Sequence, residues 1–71
     1  MINEQLLSVV KSMQKAEITG HHAYQMIAKK VKDPHNKSLI LKMAGEEMKH
    51  YHIWKSYTNI DVSPNRMQLM I

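Results

Sequence analysis

The chain has no cysteine. That excludes disulfides, thiolate metal sites and cysteine nucleophiles. It suits a reducing compartment, so a cytoplasmic location is the expectation. Phenylalanine is also absent, and methionine, with seven residues, supplies much of the apolar content. No apolar run approaches the ~18 residues of a membrane span. The opening Met-Ile-Asn-Glu-Gln lacks the basic start and apolar stretch of a secretory leader. The net charge of +4 is modest. Its one lysine cluster, Lys29, Lys30 and Lys32, reads as the cationic end of a helix, where it complements the macrodipole. No nucleic-acid motif accompanies the charge, so a nucleic-acid partner is not expected. At 71 residues the chain is a single small unit. Units of this size seldom bury enough surface to be stable alone and usually recruit a metal or a partner subunit.

Helical periodicity runs through most of the sequence. Residues from about 3 to 32 carry a stripe of Leu6, Val10, Met13, Glu17, Gly20, Tyr24, Ile27 and Val31. The steps alternate between four and three, as in a helix seam packed at a shallow crossing angle. Asn3 is a suitable N-cap. Asp33-Pro34 closes this helix and opens the next, because proline disfavours helix in the residue before it and is welcome at a first helical position. The second helix, about 34–58, carries Asn36, Ile40, Met43, Glu47, His50, Trp54 and Tyr57 at the same alternation. So short a connection predicts an antiparallel hairpin over residues 1–59. Residues 60–71 read as a tail or as the start of a truncated third helix, with Ser63-Pro64 as its opening.

Each apolar stripe is interrupted in its middle by ionisable residues. Glu47 and His50 stand at i and i+3 and project from one face. Counted from the bend at ~1.5 Å per residue, Glu17, Glu47 and His50 all lie roughly 20–25 Å from the turn. They therefore meet at one level. Two carboxylates and an imidazole on a buried seam need neutralisation, counter-cations or a metal. Neither stripe contains lysine or arginine. Gly20, one turn beyond Glu17, leaves room beside the acid for a bulky group or a close helix. Carboxylate and imidazole together suit iron or manganese. Dinuclear carboxylate bundles take one Glu from each of two helices and Glu-x-x-His from each of two others. One hairpin holds half of that set, and two copies would hold all of it.

These residues resemble the ferritin-like superfamily and, within it, the rubrerythrin-like proteins. The likeness is carried by Glu17 with Tyr24 seven residues on, and by Met43-Ala44-Gly45-Glu46-Glu47-Met48-Lys49-His50. It continues through His50 to Thr58 (HYHIWKSYT) and Val62 to Asn65. The resemblance implies an all-α hairpin that pairs with a second copy into a four-helix bundle. It implies Glu17 as a terminal ligand, Glu47 as a bridging ligand and His50 as a nitrogen ligand, with Tyr24 behind them. The implied cofactor is iron, about one per chain, or manganese; the implied partners are a second chain and O2 or peroxide. The second Glu and second Glu-x-x-His of the family lie on helices absent here, and a homodimer would restore the site, as in half-ferritins assembled from two-helix subunits. The cysteine-rich electron-transfer segment of full rubrerythrins is absent too.

Other residues have plainer readings. His21 follows Glu17 by one turn and reads as a boundary residue, with a role behind or on the metal as the lesser alternative. His22, His35 and His52 read as surface or boundary residues. Glu46 faces a helix neighbour or solvent. Trp54 and Tyr57 read as core or interface aromatics, and Met13, Met26, Met43 and Met48 as adaptable packing. The competing reading of the whole chain is a metal-free oligomerisation hairpin, or an inactive piece of a longer rubrerythrin-like protein.

Overall fold

Asn3 and Asp33 set the two helix starts. In the computed structural model, which describes residues 2–70, α1 spans Glu4–Lys30 and α2 spans Pro34–Thr58. Expectations that touch Met1 and Ile71 lie outside the described residues. The Asn3 side chain accepts the Leu6 N–H at 2.8 Å, and Asp33 accepts the Asn36 N–H at 3.0 Å. Each satisfies one of the otherwise orphaned amides of a first helical turn. Pro34 stands at the first helical position, where a missing N–H costs nothing. α1 ends slightly before the sequence pattern does, with Val31 already extended. The two helices pack as an antiparallel pair, and no β-strand occurs among the described residues. Among the described residues, no helix is long and apolar enough to cross a membrane.

Asn59 ends α2 in the left-handed region, at φ 56° and ψ 30°, and its N–H closes the last turn on the Lys55 carbonyl at 2.7 Å. Asparagine tolerates this conformation better than most residues. The reversal sends residues 60–70 back along the hairpin toward the turn. This tail is not a third helix. Ser63-Pro64 starts none, and residues 66–69 form only a short turn, held by the Asn65 side chain accepting the Met67 and Gln68 amides at 3.1 and 3.3 Å.

Polar groups dock the tail. Gln14, completely buried, donates to the Ile60 carbonyl at 2.8 Å and accepts the Thr58 hydroxyl. The buried Tyr51 hydroxyl accepts the Val62 N–H at 2.9 Å. Thr19 accepts the Asn65 N–H at 2.8 Å, and Lys15 donates to the Ser63 carbonyl at 3.1 Å. Lys55 pairs with Asp61 and holds its carboxyl below the usual value. Every buried side-chain polar atom among the described residues has a partner.

The apolar core is small: Val10, Ile18, Ala28, Ala44 and Tyr51. Only part of the expected seam is covered. Leu6, Met13, Ile27, Met43 and Tyr57 are exposed, joined by Val9, Leu39 and Ile53. The reason is geometric. Within one hairpin, each helix buries the flank that meets its neighbour and the tail. The other flank of each stripe is left on the opposite face. The radius of gyration, 13.7 Å, exceeds the about 11 Å expected of a compact 71-residue unit. The body measures only 13 Å along its shortest axis. It is a slab one helix thick, with the tail on one side and an uncovered apolar surface on the other.

Candidate metal centre

The hairpin register brings Glu17 of α1 to the level of Glu47 and His50 of α2. One ligand atom from each lies within 4.8 Å of the other two. The His50 Nδ1 is 3.4 Å from the Glu17 carboxylate. Glu17 and Glu47 are half-buried, whereas the His50 side chain is 50% exposed. His50, Glu17, Ile53 and Trp54 line a cleft of about 260 Å³ beside the group. The cluster therefore sits at the edge of the helix-helix contact and presents its imidazole toward the uncovered face.

Gly20 shapes the site. A Cβ at this position would stand 3.2 Å from the Glu47 Oε2 and 3.4 Å from its carboxyl carbon. The glycine thus opens the cradle in which the Glu47 carboxyl lies, at a helix-propensity cost of about 1 kcal/mol relative to alanine. Gly45, by contrast, faces open space, with nothing within 4 Å of the equivalent atom.

The electrostatics favour a cation. Glu47 is pushed up to about 7, first by its hydrogen bond to Glu17, then by burial and by the like charge of Glu17, with His50 acting in the opposite sense. A hydrogen bond between two carboxyl groups requires a proton on one of them. At neutral pH this pair holds part of a proton where a divalent ion would neutralise both acids. Two oxygen donors and one nitrogen, with no thiolate, suit iron or manganese. Three protein ligands leave further coordination positions for exogenous groups. The residues present therefore fit such an ion.

The remaining candidates are arranged around this group. His21 does not join it: its Nδ1–H donates to the Ala44 carbonyl of α2 at 2.7 Å, so the ring ties the two helices together at the level of the site. Tyr24 is half-buried one turn beyond Gly20 and is not among the converging atoms. Glu46 points away and pairs with Lys49 at 3.5 Å on the exposed side of α2. His35 and His52 are exposed and His22 is half-buried. The docking residues Gln14, Thr19, Tyr51 and Thr58 escape a search for apolar stripes, because polar side chains buried against a tail leave no periodic signal.

No family model, no curated protein and no solved structure matches the chain.

Proposed function

We propose that this chain is a dinuclear iron or manganese protein of the rubrerythrin-like, ferritin-like type. Two hairpins would join through their uncovered faces into a four-helix bundle. Glu17, Glu47 and His50 would hold about one ion per chain. The observation that carries this reading is the convergence of these three ligands, from two helices, on the one face without a neighbour. A bound iron pair supplies redox chemistry toward O2 or peroxide, in an oxidase, peroxidase or iron-handling role. The protein's own contribution is to keep two carboxyls adjacent, with Gly20 clearing the space for Glu47. The partially exposed His50 and its cleft leave the site open to small molecules.

Elemental analysis and light scattering on natively purified protein test this together. The expected result is about one iron or manganese per chain in a dimer or larger even oligomer. Glu47→Ala and His50→Ala should each remove the bound metal. Retained stoichiometry in either variant would sink the ligand assignment. The exposed apolar face also supports a second reading, a metal-free oligomerisation hairpin, because such a face favours pairing whatever lies at its centre. An even oligomer that takes up no Fe(II) would select it.

A further inference from the structure

The positive charge of the chain is concentrated at one end. Residues 22–42, around the hairpin turn, contain five lysines and one aspartate, whereas the rest of the chain apart from Arg66 has four lysines against five acids. The returning tail brings Arg66 to this same end. There, on the side away from Glu17, Glu47 and His50, the tail and the two helices line an open cleft of about 600 Å³. This is within the ~300–1,000 Å³ range usual for small-ligand sites. Its walls include the apolar side chains of Met26, Leu41 and Leu69 and the cations Lys29, Lys37 and Arg66. No acid lines it.

The three cations have no paired counter-charge among the described residues. None is in an ion pair among the described residues. The one nearby acid in sequence, Asp33, is engaged as the cap of α2. The helix macrodipole accounts for Lys29, which lies in the last turn of α1. It does not account for Lys37, which stands near the N-terminus of α2, where a cation is disfavoured and no acid occupies the first turn. The turn that carries Arg66 and Leu69 is also fixed in place, through the Asn65 side chain on one side and Thr19 on the other. An apolar floor beneath a preset cationic rim has the chemistry of a site for an anion with an apolar body.

We propose that this cleft binds an amphipathic anion, a carboxylate or phosphate monoester bearing a short alkyl chain, with the chain on Met26, Leu41 and Leu69 and the head group among Lys29, Lys37 and Arg66. This site is independent of the metal reading and stands whether or not the other face holds an ion. The free amphiphile is the occupant, because apolar side chains of α1, α2 and the tail line the cleft together with the cations; a flat lipid surface would engage the lysines without filling it.

The test is a titration of the 71-residue chain with sodium octanoate and with octyl phosphate, followed by amide chemical shifts and calorimetry. 1-Octanol and inorganic phosphate test the tail and the head group alone, and vesicles containing phosphatidylglycerol test a membrane source. Saturable octanoate binding, with shifts at residues 26, 41 and 69 and at least tenfold weaker binding of both half-probes, is expected. Replacing Lys29, Lys37 and Arg66 with glutamine should weaken octanoate binding at least tenfold. Replacing Lys11, Lys42 and Lys49, which lower the net charge equally but lie outside the cleft, should change it less than twofold. Equal losses in the two triple variants, octanol binding as tightly as octanoate, or vesicle binding without any octanoate response would each overturn the proposal.

Discussion

Gly20→Ala separates the stability of the hairpin from the function of its site, because the two should move in opposite directions. Alanine is better than glycine in a helix interior by about 1 kcal/mol. In a chain of this size that corresponds to a rise of roughly 4–8 °C in Tm. The new methyl would meet the end of the Glu47 side chain at 3.2–3.5 Å. That contact is tight, but the carboxyl is the far end of a flexible side chain and can swing away, so the fold survives. What is lost is the position of the carboxyl beside Glu17 and His50. A displaced ligand of three should weaken metal binding at least tenfold, or about 1.4 kcal/mol. Gly45→Ala is the internal control, since its methyl meets nothing within 4 Å. It should gain a similar helix stability and leave metal binding unchanged. The assays are thermal melts followed by circular dichroism on metal-free protein, and competition titrations with Fe(II) or Mn(II). Unchanged metal affinity in Gly20→Ala would refute the claim that the glycine is there for Glu47.

Three further outcomes follow from the same geometry. The Glu47 carboxyl titrates at about 7 in the folded chain against 4.5 as an isolated group. The folded state therefore keeps a proton that the unfolded state releases across this interval, and metal-free protein should lose stability as pH rises from 4.5 through about 7. Melts at pH 5 and pH 8 check the sign, and Glu47→Gln, which cannot ionise, should flatten the difference. Gln14→Ala strips partners from the Ile60 carbonyl and the Thr58 hydroxyl and should destabilise the chain by about 1–3 kcal/mol, read by urea denaturation. Met13→Glu and Met43→Glu lie on exposed positions of the single hairpin, at 41% and 45% exposure. They should be nearly neutral for a lone chain yet abolish the proposed dimer in light scattering; a dimer that persists would move the interface elsewhere.

How much of this was legible in the sequence depends on which forces set each feature. Asn3, Asp33 and Pro34 act locally, so the helix starts can be read from residue type alone. The alignment of Glu17 with Glu47 and His50 follows from rise per residue once the bend is placed, and Gly20 was marked by its position beside the acid. The tail was not legible. Ser63-Pro64 resembles a helix opening, but the segment is captured by Gln14, Lys15 and Thr19, 46 to 48 positions away in the chain, and by Tyr51, 11 positions away. Local propensity contains no information about such partners. Which half of the stripe stays exposed in one hairpin was not legible for a related reason: periodicity says which residues share a face, but not whether one neighbour or two will cover it.

The polar docking of the tail also bears on how this molecule can assemble. With the tail in place, the side opposite it keeps Leu6, Met13, Met43 and Tyr57 exposed, and under the proposed pairing two such bodies would meet there about a two-fold axis and stop. If the tail peels away, the buried Ile18, Ala44 and Tyr51 flank opens on the reverse side. A body that is adhesive on both sides has no closed pairing, and stacking can continue without end. Under the proposed pairing, Gln14, Thr19 and Tyr51, which lie outside the Glu17, Glu47 and His50 cluster, would be the residues that keep association finite.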